Sequence, residues 1–164
     1  MDYTSIINKY YPEDDALRRL LLKHSRQVAD RCLLIARRHP ELQLNEQFLE
    51  EGAMLHDIGI RFCDAPSILC HGTEPYIKHG PLGAKILRDE GFPQHARVAE
   101  RHTGTGLPGY EPETLEEQVV CYADKFYSKS RPDHVRSVRE TAQSLEKFGR
   151  EGVEKFLDWS RRFE

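Results

Sequence analysis

Residues 14–38, DDALRRLLLKHSRQVADRCLLIARR, decide the fold. Leu17, Leu20, Leu21, His24, Val28, Cys32 and Ile35 recur at intervals of three and four, which makes one apolar stripe on a long helix. Pro12-Glu13-Asp14-Asp15 places acids in the first turn, where the helix dipole favours them, and His39-Pro40 ends the run. One polar ring, His24, lies inside the stripe and so points inward. Alone it reads as an ordinary core histidine. Its meaning depends on what the rest of the chain sends to the same place.

Helical spacing continues outward from this stretch. Asn45 caps a second helix running to about Asp57, which Ile58-Gly59 breaks. Residues 60–77 contain Pro66, Gly72 and Pro75 and read as irregular, with room for a short helix. A third helix starts near Gly80-Pro81 and stops at Gly91. A fourth spans about 94–102, residues 103–109 form a loop, and a fifth runs from about Leu115 to Tyr127. Segments 132–147 and 149–161 read as two last helices broken at Gly149, and no alternating strand pattern appears. The expected class is all-α, a bundle of about six to seven helices. One domain over 1–164 is expected, with a core at about 14–130. Helices 132–161 either cover that core or form a homodimer seam.

Hydrophobic residues make up 38% of the chain and charged residues 31%, with a net charge of −3. No overall basic field is present to hold nucleic acid. No apolar run approaches the ~20 residues that span a bilayer. The start, MDYTSIINKYYPEDD, lacks the basic and apolar pattern of a secretory signal, so the expected location is cytoplasmic. Cys32, Cys63, Cys70 and Cys121 are scattered without a CxxC pair, which fits reduced thiols.

Five further residues change the reading of His24. His56 and Asp57 follow Ala53-Met54-Leu55 at the inner end of a helix, and two buried polar side chains in succession are costly in a plain core. Asp124 lies among Val119, Val120, Tyr122 and Phe126, where a carboxylate needs a cation. His79 stands at a helix start, and His102 at a helix end before a glycine-rich loop. Four imidazoles and two carboxylates suit a divalent metal site with hydrolytic chemistry. His39, His95 and His134 fall in polar surroundings and read as solvated or capping residues. His71 lies in the loop before His79 and is a candidate for reaching a substrate.

The strings AMLHDIGI, HGPLGA, HTGTG and ADK, together with His24, resemble the HD-domain superfamily of metal-dependent phosphohydrolases over about residues 20–130. The nearest likeness is to the bacterial HD-type symmetrical diadenosine tetraphosphate hydrolases. The HD-class cyclic di-GMP phosphodiesterases share the ligand logic more distantly. The resemblance implies that His24, His56, Asp57 and Asp124 hold one ion. It also implies that Asp57 bridges to a second ion completed by His79 and His102. Iron or manganese suits this donor set, with zinc or magnesium as alternatives. Where many HDIG-type proteins carry a lysine after the glycine, this chain has Ile60 followed by Arg61.

The expected activity is hydrolysis of a phosphate ester or anhydride, its substrate a small phosphorylated molecule of the nucleotide class. Asp57, Lys125 and Arg101 are the expected catalytic residues, the two cations stabilising phosphoryl oxygens. Arg61, His71, Lys78, Thr103 and Thr105 are the expected substrate contacts. The hydroxyls and backbone amides of the 103–110 loop suit an anion. Two other readings stay open: a metal-loaded module that senses a nucleotide without turning it over, and a di-iron oxygenase.

Overall fold

The long stripe forms α2 (Ala16–Arg38), whose first turn is capped by Asp15 accepting from the Arg18 backbone amide. The computed structural model describes residues 1–104 and 108–164. Leu21, His24, Ser25, Val28, Cys32 and Ile35 are buried along one face of α2. Against that face pack α3 (Glu46–Leu55), capped by Asn45, and α6 (Leu115–Asp124), which opens on a reciprocal Thr114/Glu117 capping box. The helices α4 (His79–Asp89) and α5 (Pro93–Arg101) form a closely packed pair, and α5 also contacts α3 and α6. Leu49, Leu55, Leu87, Val119, Tyr122 and Phe126 lie in the core between them.

Two glycines let the site-bearing segments approach one another. A Cβ on Gly59 would lie 2.3 Å from the His79 carbonyl oxygen and 2.5 Å from the Gly83 nitrogen. A Cβ on Gly80 would lie 2.8 Å from the Ala99 carbonyl oxygen. These are backbone atoms, which a side chain cannot push aside cheaply. Gly59 therefore lets the turn after Asp57 meet the start of α4, and Gly80 lets that start meet the end of α5.

The class is all-α as expected, with eight α-helices among the described residues. Several details differ from the sequence reading. A first helix, α1 (Tyr3–Tyr10), precedes the stripe, and the following Tyr11 is buried with its hydroxyl donating to the Ile58 carbonyl at 2.7 Å. Residues 60–77 hold three short 3-10 turns and a small antiparallel pair, β1 (Asp64–Ala65) and β2 (Cys70–His71). The fifth expected helix stops at Asp124. The chain then forms β3 (Tyr127–Ser128) and β4 (Arg131–Val135), paired Tyr127↔Val135 and Ser128↔Arg131. Pro132 disfavours helical backbone at Arg131 before it, and the residues up to Val135 pair with β3 instead of opening a helix.

Helix formation resumes one residue after Arg136. Ser137 and Glu140 make a second capping box at the start of α7 (Val138–Leu145). This S-x-x-E signal is legible in the sequence and places the helix start six residues later than the hydrophobic pattern did. Gly149 takes a φ of 108° before α8 (Arg150–Phe163). Phe156 stacks on Tyr122 with ring centroids 5.2 Å apart, and Phe163 meets the same ring edge-on at 5.5 Å. The C-terminal helices thus cover the core of this chain.

Candidate metal centre

Each of the six candidate side chains is delivered by a different constraint. His24 comes from the middle of α2, and Asp124 from the last turn of α6. His56 and Asp57 follow the end of α3, where the chain leaves the helix axis and both side chains can turn to one side. His79 opens α4 and His102 closes α5. His24, His56, Asp57, His79 and His102 are buried, while the Asp124 side chain is 18% exposed.

The six converge on two adjoining points. His24, His56, Asp57 and Asp124 form one set, and Asp57, His79 and His102 form another; within each set the donor atoms lie within 4.8 Å of one another. Asp57 belongs to both, one oxygen facing each way. Its Oδ2 is 3.3 Å from His24 Nε2 and 3.2 Å from His56 Nε2. Its Oδ1 is 3.3 Å from His79 Nε2 and 3.2 Å from His102 Nε2. Asp124 Oδ1 lies 2.8 Å from His24 Nε2 and 3.3 Å from His56 Nε2.

The tautomers are set from outside the cluster. Nδ1 of His56 donates to the Ala53 carbonyl at 2.6 Å, Nδ1 of His79 to the Tyr76 carbonyl at 2.5 Å, and Nδ1 of His102 to the Ala99 carbonyl at 2.6 Å. Each ring is therefore held with its Nε2 aimed inward, the arrangement that a metal-ligating histidine needs. His79 Nε2 and His102 Nε2 are only 3.0 Å apart. Nitrogens at that distance must share a proton or a metal cation. Asp57 Oδ1 is buried without a hydrogen bond, although buried carboxylates ordinarily find one. The residues fit one or two divalent cations.

Charge in the cluster is strongly coupled. Burial opposes a charge on His56, yet Asp57 and Asp124 raise its pKa to about 10. Burial alone would raise Asp57, but His56 and Lys129 hold it well below the usual carboxylate range. Hydrogen bonds from His24 and His56 overcome burial to do the same for Asp124. Burial lowers His102 to about 4, so this ring is neutral at physiological pH.

Lys129 is the functional residue that the sequence reading missed. Its Nζ is 2.7 Å from Asp57 Oδ2, and its side chain is 11% exposed. Burial opposes its charge, but Asp57 and Asp124 carry its pKa above the ordinary lysine value. It stands in the β3–β4 turn, in the gap between two expected helices, and 72 residues separate it from Asp57. The expected cations are placed differently. Lys125 lines the same cavity but donates to the Thr103 carbonyl at 3.2 Å and to Cys121 Sγ at 3.2 Å. Arg101 turns to Glu113 at 2.8 Å and to the Glu111 carbonyl at 2.6 Å. Arg61 donates to the Tyr10 carbonyl and covers the Tyr11 ring. Lys78 pairs with Glu74 at 3.6 Å, and His71 is exposed on β2. Thr103 lines the cavity, and Thr105 lies outside the described residues.

The cavity over the cluster has a volume of about 380 Å³. His79, His102, Asp124, Lys125 and Lys129 form its floor, with Tyr76 at one side, and Ile77, Leu145 and Phe148 give it an apolar wall. Two histidines read as solvated are not. His95 donates through Nε2 to Glu51 at 3.0 Å with 12% of its side chain exposed, and His39 bridges Glu41 and the Glu164 carbonyl. His134 is on the surface, as expected, and pairs with Glu140 at 2.8 Å.

The sequence model of the HD domain matches residues 21–128. An uncharacterized protein of Methanocaldococcus jannaschii is 34% identical over 124 residues, 62% of this chain and 67% of that one. A tRNA (cytidine(56)-2'-O)-methyltransferase of Picrophilus torridus is 28% identical over 142 residues, 75% of this chain but 38% of the methyltransferase. The chain thus spans well under half the length of that relative. Among solved structures, the HD domain of the L. monocytogenes phosphodiesterase PgpH superposes with a TM-score of 0.62 at 19% identity, covering 96% of this chain and 85% of that one. The same domain in complex with cyclic-di-AMP gives a TM-score of 0.61 at 18% identity. These two likenesses carry the fold. No helix among the described residues is long and apolar enough to cross a membrane.

Proposed function

Because this chain belongs to the HD domain family, we propose that it is a metal-dependent phosphohydrolase cleaving a phosphate ester or anhydride of a nucleotide. The observation that carries this reading is the convergence of six donor side chains in two sets joined by Asp57, with three histidine rings locked so that Nε2 points inward. His24, His56, Asp57 and Asp124 would hold one divalent ion, and Asp57, His79 and His102 a second, iron or manganese suiting the mixed imidazole and carboxylate donors. Bound there, such ions supply a water acidic enough to ionise near neutral pH and positive charge for the phosphoryl oxygens.

The chain's own residues do the rest. Lys129 keeps its ammonium charged at the cavity floor and offers it to a phosphoryl oxygen as negative charge builds there. Lys125 adds a second cation on the same floor. Ile77, Leu145 and Phe148 take the apolar part of the substrate and keep water from that side. The rings of His56, His79 and His102 are prevented from swinging by their carbonyl partners. Lys129 places an ammonium 2.7 Å from Asp57 although position 60 is isoleucine, which favours turnover over sensing alone. The finer likeness to diadenosine tetraphosphate hydrolases rests on the HGPLGA, HTGTG and ADK strings. The cyclic dinucleotide bound by PgpH supports the nucleotide class by similarity of fold.

The test is a screen of phosphomonoesters, phosphodiesters and dinucleoside polyphosphates with protein loaded with Mn²⁺ or Fe²⁺ under anaerobic conditions. Turnover that disappears in Asp57→Ala is expected. Tight nucleotide binding without turnover under either metal contradicts the proposal and favours a sensor. Oxygen consumption in place of phosphate release points to the oxygenase.

A further inference from the structure

A second cavity, of about 390 Å³, adjoins the first and shares Tyr76 and Lys129 with it. Its lining differs in kind. Ser67, Ser128 and Ser130 contribute hydroxyls, Tyr127 a phenol, and Lys129 and Arg136 positive charge, with no acidic residue among the described lining. Ser128 and Ser130 lie 2.9 Å apart, oxygen to oxygen. Unlike Arg31, Arg97 and Arg101, each paired with a glutamate, Arg136 has no carboxylate partner among the described residues. It is half-buried, and one guanidinium nitrogen donates to the Lys125 carbonyl at 3.2 Å, which fixes the group at the cavity. The other guanidinium nitrogens are free of recorded protein partners among the described residues. An immobilised arginine beside hydroxyl donors is suited to bidentate capture of a phosphoryl group.

The geometry points to a second phosphoryl subsite here, so that the substrate carries two phosphoryl groups, one over the metal centre and one against Arg136. Lys129 lies between them, lining both cavities while its Nζ stays 2.7 Å from Asp57. The three flanking donors come from one short piece of chain, Ser128-Lys129-Ser130, at the β3–β4 turn. Arg136 follows β4, and its backbone amide donates to the Phe126 carbonyl at 2.9 Å. This hairpin therefore presents the whole cationic side of the subsite as one unit. The inference rests on the phosphohydrolase reading, which sets the first phosphoryl group, and deepens it by specifying a second.

Calorimetric titration of the Mn²⁺-loaded protein with adenosine 5'-monophosphate and with adenosine 3',5'-bisphosphate tests it. The bisphosphate is expected to bind about 10-fold or more tightly, as one charge-assisted arginine contact supplies. In Arg136→Ala the ratio of the two affinities falls to within about 2-fold. Arg136→Gln keeps a donor for the Lys125 carbonyl and loses the charge, so it separates lost recognition from a disturbed hairpin; the same fall in ratio is expected. Equal affinity of the two ligands for the native protein, or an unchanged ratio in both variants, overturns the second subsite while leaving the phosphohydrolase reading standing. Failure of the bisphosphate to bind the native protein overturns the second subsite as well, while loss of turnover in the substrate screen is what overturns the phosphohydrolase reading.

Discussion

Two buried clusters of histidine and carboxylate are supported by α3, and they behave differently. In the middle of the helix, Glu51 accepts from the Met1 amino group at 2.9 Å, from His95 at 3.0 Å and from Gln47 at 3.1 Å. Both carboxylate oxygens are satisfied. At the C-terminal side, Asp57 Oδ1 has no hydrogen bond, and two histidine nitrogens face one another at 3.0 Å. Burial and residue type are shared. Only the second cluster has its imidazole nitrogens and carboxylate oxygens converging in two sets that share one carboxylate. An ion site is therefore marked by crowded donor atoms with an oxygen left unmatched, and a structural ion pair by atoms already matched.

The largest expected effect that separates the clusters is on activity. Asp57→Ala removes a donor from both ligand sets and should lower turnover by about 10³-fold or more. Phosphate release from matched preparations measures this, with Glu51→Gln expected to stay within about 2-fold of the native protein. Activity lost equally in both variants would break the comparison. Lys129→Met should cost about 10²–10³-fold in kcat, the range for removing a positioned electrostatic group, while metal content is retained. A loss of bound metal in that variant instead would make Lys129 a support of the ligand set.

Stability reverses the order. Removing one partner of a buried ion pair costs about 3–5 kcal/mol, so Glu51→Gln should lower the midpoint of urea unfolding clearly. Saturating Mn²⁺ should stabilise the native protein and Glu51→Gln alike, by about 2.7 kcal/mol at a hundredfold excess over Kd, and Asp57→Ala hardly at all. Thermal unfolding with and without the ion measures the difference. A metal shift of equal size in all three proteins would contradict the assignment.

A further effect is expected in proton release. Between two carboxylates, His56 holds its second proton up to about pH 10. A cation taken up through Nε2 expels that proton at neutral pH, so affinity should increase from about pH 6 to about pH 9. Calorimetry in buffers of different ionisation enthalpy counts the proton released. Affinity that is flat over this range would mean that His56 is not a ligand.

Much of this was legible in the sequence because it depends on local spacing. The interval of three and four in residues 14–38 gave α2 and the inward aspect of His24. The capping residue Asn45 fixes where α3 begins, and the HD pair marks its end. What escaped depends on contacts between distant segments. Lys129 reaches Asp57 from the turn of a hairpin that pairs Tyr127 with Val135. His95 appeared solvated because its neighbours in sequence are polar, whereas its neighbour in space is Glu51. Leu145 and Phe148 wall the cavity from beyond residue 128, where the family match ends.

The most direct test is anomalous diffraction from a crystal of the manganese-loaded protein. A peak is expected in contact with His24, His56, Asp57 and Asp124, and a second ion, where present, in contact with Asp57, His79 and His102. Manganese bound elsewhere on the protein, with all six side chains turned from it, would contradict the account.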